Sequence, residues 1–291
     1  MSSRMNSGTE TLVVDRADGS TAQLIVHRAT ELAAPTVLVI PAMGVQARWY
    51  DRLLAELNDA GYHAAVTELR GHEAEGAHRP GWRTDWGYLD LAHDLDAAVT
   101  VLGEHQLPAP YLLGHSLGAH LALVCAARRP AAVSGLAAVA AGSVYWRLWS
   151  LRHLALTQSV ALLAALMGHL PGGRIGFGGD EARTQMRDWA RFARTGRLEL
   201  GRPRHDFTAE LAAVDLPLLA VSLAGDRLAP PRSVDGLAAL LPRAPLTRIH
   251  LGRTDDARET DHLRWARQPA RVVATLTDWL GEARRNETRY R

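Results

Sequence analysis

Apolar and polar positions along this chain switch between two periods, and the switches mark out its elements. Thr11–Val14 and Thr21–His27 read as two short strands, joined by Arg16-Ala-Asp-Gly-Ser20 with Asp18-Gly19 at the tip of the turn. Pro35–Ile40 is a continuous apolar run, the pattern of a strand buried on both faces of a parallel sheet, and it ends at Pro41-Ala42-Met43-Gly44. Trp49, Leu53, Leu54 and Leu57 recur at helical spacing up to Gly61, and His63–Leu69 reads as the next strand. Arg70-Gly71-His72 opens a polar, glycine-rich loop that reaches to about Arg83. Tyr88–Leu102 then reads as an amphipathic helix.

The next strand, from Pro110, runs directly into Gly114-His115-Ser116-Leu117-Gly118 and then into a helical pattern. A GxSxG between strand and helix is the setting of a nucleophile elbow, where a tight, strained turn pushes the serine hydroxyl out of the sheet. A side chain at Gly114 or Gly118 would crowd that turn against its neighbours. Ser116 is the candidate nucleophile.

Val133–Ala141 is a further apolar strand, after which the alternation breaks. Residues 143–206 hold three tryptophans, the apolar run Val160–Met167 and a glycine-rich stretch, Pro171–Gly179, and read as a helical insertion. The alternation resumes with a strand at Pro217–Ala224, Gly225-Asp226 at its end and a helix at Pro230–Leu241. A strand at Leu246–Leu251, a polar loop at Gly252–Asp261 and one long helix at Leu263–Arg284 complete the chain. Strand and helix alternating in this way argue for an α/β fold, a mostly parallel sheet with helices on both faces. The core then comprises residues 1–142 and 207–291, with residues 143–206 as a cap.

Composition narrows the function. At 291 residues the chain suits one large α/β domain with an insertion. All 33 basic residues are arginine, set against 31 acidic ones, and they form no clustered stripe, so no nucleic-acid partner is expected. The single cysteine, Cys125, excludes an intramolecular disulfide and lies in an apolar helical run, which predicts a buried structural thiol. Met1–Glu10 has no apolar signal-peptide core, and no run reaches the ~18 apolar residues of a membrane span. The expectation is a cytoplasmic protein without stable membrane insertion.

Taken together, these segments resemble the α/β-hydrolase family. The resemblance is closest to a bacterial group of predicted hydrolases with PxMG after an early strand, a GHSxG elbow, and YWR and GFG segments in the cap. Here these are Pro41–Gly44, Gly114–Gly118, Tyr145-Trp146-Arg147 and Gly176-Phe177-Gly178. It implies a triad in the chain order Ser, Asp, His: Ser116, then Asp226 where the family places its acid, then His262 before the last helix. His262 would take the serine proton and return it to the leaving group, and Asp226 would hold the imidazole tautomer and stabilise its charged form. The oxyanion hole would use the backbone N–H of Leu117 and, at the family's position in the early turn, that of Met43; the commoner His-Gly of that turn is here Pro41-Ala42.

Other titratable residues compete for these roles. His250 is the rival base, read as a buried structural histidine within Ile249-His250-Leu251, while His93 and His120 fall on helices as packing or surface residues. Asp255 and Asp256 read as a solvated, charged loop. Asp261, where many relatives have glycine, either tunes His262 or is solvated. His63, His72 and His78 match no zinc spacing, so neither metal nor other cofactor is expected.

Ala42, His115, Tyr145, Trp146 and Trp149 are the candidate substrate contacts, with the cap tryptophans and Val160–Met167 either lining an acyl pocket or forming the cap's own core. Ten arginines against five acidic residues in 143–206 suit an anionic substrate portion or a salt-bridged surface equally. The expected function is a serine hydrolase acting on a small carboxylic ester or thioester, free or carrier-bound, through an acyl-enzyme. Acyl transfer or cyclisation, an amidase, and a non-catalytic ligand-binding protein on the same fold remain open.

Overall fold

In the computed structural model, which describes residues 8–74 and 78–289, the first two runs pair as an antiparallel hairpin. The part of the signal-peptide reading that rests on Met1–Ser7 lies outside the described residues, as do residues 75–77 of the glycine-rich loop. β1 (Thr9–Asp15) and β2 (Thr21–His27) bring Leu12 opposite Leu24, and the turn closes through Gly19 at φ 81°. Burial follows every second residue, as a period-two pattern requires of strands covered on one face.

The continuous apolar runs are buried at every position instead. They form β3 (Thr36–Ile40), β4 (His63–Thr67), β5 (Tyr111–His115), β6 (Gly135–Val139) and β7 (Leu218–Leu223). With β8 (Leu246–Leu251) they complete an eight-stranded sheet of order β1-β2-β4-β3-β5-β6-β7-β8, parallel from β4 to β8. Helices cover both faces, which is why the central strands carry no polar side to alternate with.

One face packs against α1 (Asp51–Asp59), which buries Leu53, Leu54 and Leu57 as its spacing predicts, and against Trp265, Leu276 and Trp279 near the end of the chain. The other packs against α2 (Tyr88–Glu104) and the almost wholly buried α3 (Leu117–Arg128). Because β3, β5, β6, β7 and β8 run in parallel, the segments that leave their carboxyl ends gather along one edge. Those segments are the turn after Ile40, Ser116, the Asp226 loop and the loop that ends at His262.

Residues 143–206 form α4 (Leu151–Met167) and α5 (Arg183–Thr195) with two short ladders, His169–Pro171 against Asp180–Ala182 and Glu199–Leu200 against His205–Asp206. Residues 143–206 are therefore largely helical, but ladders this short have no period to read in sequence. Val160–Met167 neither fills a core nor lines a cavity as a block. Thr157 and Ala164 are the buried residues of α4, while Leu162 and Leu166 are 60% and 70% exposed. Small side chains along one stripe let α4 lie close to α5 and leave Leu162 and Leu166 outside, while Leu163 packs against the core.

Two expectations from the sequence need correction. Leu263–Arg284 is not one helix: a single 3-10 turn at Arg264–Arg267 gives way at Gln268, and α8 starts at Ala270 (Ala270–Arg289) after α6 (Thr208–Ala213) and α7 (Pro231–Ala238) earlier in the chain. Pro269 forces the break, since proline disfavours the helical conformation at the residue before it. His250 is exposed, because β8 is the sheet's edge strand and its outer side lacks a covering helix.

Candidate active site

The path from β5 into α3 turns at one residue. Ser116 has φ 53° and ψ −116°, a left-handed conformation that a non-glycine residue adopts at a cost of about 1–3 kcal/mol. The glycines on either side make room for it. A Cβ on Gly114 would stand 2.3 Å from the Cα of Ala119, and one on Gly118 would stand 2.1 Å from the Ile40 carbonyl oxygen. The turn can therefore sit tight against both neighbours only with glycine at both positions.

Ser116 Oγ lies 3.2 Å from His262 Nε2, and His262 Nδ1 lies 2.8 Å from Asp226 Oδ2. Asp226 Oδ1 accepts the N–H groups of Leu228 and Ala229 at 2.7 and 2.9 Å, so the carboxylate is held from both sides. With the carboxylate accepting at Nδ1, the histidine carries its proton there and turns a free lone pair at Nε2 towards the serine. Asp261 plays no part in this line, because its Oδ1 accepts the N–H groups of Leu263 and Arg264 and so closes the start of the next turn.

A second hydrogen-bonded line runs beneath the first. The Ala42 N–H donates to the Tyr50 hydroxyl at 2.9 Å, and that hydroxyl donates to His115 Nδ1 at 2.8 Å. His115 Nε2 then donates to the His262 carbonyl, also at 2.8 Å. Burial, and next to it the neighbouring His262, hold His115 well below the usual histidine range, so it stays neutral. With the Ala42 N–H committed to Tyr50 and Pro41 lacking one, the Met43 N–H is the next donor of the turn. The Leu117 N–H opens α3, where first-turn donors have no partner within the helix.

The early turn is also braced by the cap. A Cβ on Gly44 would stand 2.2 Å from Gly179 N, so the two backbones touch. Glu181 fixes the cap side of this contact: its Oε1 accepts from Gly179 N–H at 3.2 Å and pairs with His72 Nε2 at 3.0 Å, and its Oε2 accepts from Gln185 at 2.6 Å. Burial disfavours a charged His72, but Glu181, with Glu73 and Asp180 nearby, raises it above the usual histidine range.

Ser116 and His262 open into a cavity of about 320 Å³. Ala42, Met43, Leu117 and Trp149, among the residues singled out from sequence, line it; His115, Tyr145 and Trp146 do not. His115 is fully buried beside His262, Tyr145 packs its ring against Gly196, and Trp146 carries the Arg147 guanidinium 5.5 Å above its ring. None of the ten cap arginines lines the cavity; Arg183, Arg191 and Arg197 instead pair with Asp85, Glu199 and Asp206.

Tyr88, His120, His153 and Phe177 line the cavity and were not singled out as site residues. The signal for one of them was spacing. His120 follows Ser116 by four residues, about one helical turn, whereas His153 stacks on Trp149 at 4.5 Å and 10° across the non-helical junction that precedes α4. Tyr88 opens a helix distant in sequence, and nothing local marks it.

The remaining candidates lie apart from one another. His63 binds the Ala29 N–H and the Leu32 carbonyl, and His78 lies 3.8 Å from Glu73. Among the described residues no group of three or more metal-ligating side chains forms. Asp256 is paired with Arg258 at the surface, and His250 Nδ1 meets the buried Ser222 hydroxyl at 2.8 Å. Cys125 is buried, and burial raises its thiol well above the usual range, so it is no nucleophile at neutral pH. No described helix is long and apolar enough to cross a membrane.

The family model described as serine aminopeptidase, S33, matches residues 33–251. Among solved structures, a thermostable carboxyl esterase from Bacillus coagulans superposes with a TM-score of 0.68 at 15% identity, over 95% of this chain and 99% of its own. A thermophilic esterase from Thermogutta terrifontis gives 0.62 at 18% identity, over 94% and 99%. The thioesterase domain from the curacin biosynthetic pathway gives 0.56 at 18% identity, over 92% and 99%. These share the fold. No curated protein matches the sequence.

Proposed function

Since the chain belongs to the serine aminopeptidase S33 family of α/β-hydrolases, we propose that it cleaves a carboxylic ester or thioester through an acyl-enzyme formed on Ser116. The observation that carries this reading is the line Asp226–His262–Ser116, at 2.8 and 3.2 Å, ending at the mouth of a mainly apolar cavity.

His262 Nε2 takes the hydroxyl proton as Ser116 Oγ attacks the carbonyl carbon, and Asp226 stabilises the imidazolium that forms. The N–H groups of Met43 and Leu117 receive the oxyanion, each such donor being worth about 3 kcal/mol in the transition state. His262 then returns the proton to the departing alcohol or thiol. Water, activated by the same nitrogen, attacks the acyl carbonyl and frees the acid.

The cavity also favours acyl chains over the substrates of an aminopeptidase. Such a substrate carries an ammonium group, and among the described residues no aspartate or glutamate lines the cavity to receive it. The reading is tested with a chain-length panel of p-nitrophenyl esters and acyl thioesters. Turnover with a chain-length optimum, lost by a factor of about 10⁶ in Ser116→Ala, is expected. Turnover of peptide amides alone, or activity surviving in Ser116→Ala, overturns the reading.

A further inference from the structure

Two buried polar side chains face the cavity without belonging to the hydrolytic line. Tyr88 opens α2, with its N–H held by Asp188 Oδ2 at 3.1 Å, and His120 lies on α3 with Phe192 packed edge-on against its ring at 5.2 Å. Tyr88 is fully covered and His120 is 3% exposed. Both positions are rigid.

Their hydrogen bonds are incomplete. His120 Nε2 stands 3.0 Å from the Gly142 carbonyl, which only accepts, so the imidazole carries its proton there and presents a bare Nδ1. Burial lowers this histidine to about 4, which keeps the lone pair free at ordinary pH. Facing Nδ1 is the Tyr88 hydroxyl at 3.5 Å, well beyond the ~2.8 Å at which a hydroxyl hydrogen bond closes. A donor and an acceptor are thus left slack inside a largely apolar cavity, where buried polar groups are normally satisfied.

Their place along α3 sets which part of a substrate they meet. Ser116 caps the helix and His120 comes about one turn later, so they are separated by about 6 Å along the axis. An acyl chain on Ser116 covers that span within its first three or so carbons. A carboxylate there would confront the Nδ1 lone pair, and an ammonium would find no aspartate or glutamate among the described residues that line the cavity. A hydroxyl satisfies both groups, donating to Nδ1 and accepting from the phenol.

We propose that Tyr88 and His120 form a recognition site for a hydroxyl near the third carbon of the acyl chain, so that hydroxyacyl esters or thioesters are this enzyme's substrate class. The inference deepens the ester-hydrolase reading and rests on it.

The deciding experiment compares ethyl 3-hydroxyhexanoate with ethyl hexanoate in two ways: as kcat/KM in the wild type, and as Kd on Ser116→Ala by calorimetry, which needs no turnover. A preference of about tenfold or more for the hydroxy ester is expected in both. Tyr88→Phe and His120→Gln, each placed on the Ser116→Ala background for binding, should bring the ratio towards one; reading a ratio cancels any general loss of activity or folded fraction. Ratios near one in the parent protein, or unchanged in both variants, overturn the proposal. Absence of wild-type turnover with a clear Kd preference would instead refute the serine-hydrolase reading and leave the recognition site standing.

Discussion

His115 Nε2 donates to the carbonyl of His262 at 2.8 Å, so the residue beside the serine grips the backbone of the histidine that faces it. Through Tyr50 the same imidazole reaches the Ala42 N–H of the early turn. One neutral ring therefore links the turn at Ser116, the backbone of His262 and the turn after Ile40. Replacing it loosens three parts that must stay in register.

His115→Ala should lower kcat by up to about 10²-fold, as expected when catalytic groups drift by about an ångström, while KM changes little. Steady-state kinetics on the best ester of the panel reads the split. A rise in KM at constant kcat would place His115 in substrate binding instead.

Asp226→Asn keeps the shape of the carboxylate but lets the amide offer a donor to Nδ1, which favours the wrong imidazole tautomer. kcat should fall by about 10⁴-fold. The folded state should survive, because one oxygen still accepts from Leu228 and Ala229. Circular dichroism and kinetics together check this; a loss below tenfold contradicts the assigned role.

Gly118→Ala drives a methyl group to 2.1 Å from the Ile40 carbonyl oxygen, a backbone atom that cannot swing aside. Overpacking of this kind costs about 1–3 kcal/mol. Thermal unfolding should shift down by roughly 2–4 °C for each kcal/mol. Gly61→Ala is a contrasting case: a Cβ there meets no atom within 4 Å, so only its positive φ opposes the change.

The cap contact should respond to pH through His72 and Glu181. The folded pKa of His72 is raised above its ordinary value of 6.5. The ion pair's contribution is therefore complete below about 6.5 and disappears as pH rises through the raised folded value. Hydrogen-exchange protection factors of residues 176–182, corrected for the intrinsic rise of amide exchange with pH, should fall across that window in the wild type. Glu181→Gln should flatten the protection factors across that window, and wild-type protection factors that stay flat with pH would contradict the prediction.

Much of this arrangement was legible from apolar runs and glycine placement. Pro35–Ile40 and Tyr111–His115 carry no polar alternation because both faces are covered, and Gly114 and Gly118 flag the turn that Ser116 occupies. What escaped depends on neighbours distant in sequence. His250 has the pattern of a buried strand residue but sits on the sheet's edge, and Tyr145 and Trp146 have pocket-like chemistry yet turn away from the cavity. Tyr88 reaches the cavity only because α2 crosses beside α3. The break at Gln268 was the exception, since Pro269 announces it in the sequence itself.

An activated serine is the centre of the account, and a fluorophosphonate probe reads it without knowledge of the substrate. Mass spectrometry of the labelled protein should place the adduct on Ser116, with none in Ser116→Ala and a collapsed labelling rate in His262→Ala. Failure of the folded wild type to label, even with a probe small enough for a 320 Å³ cavity, would contradict the account.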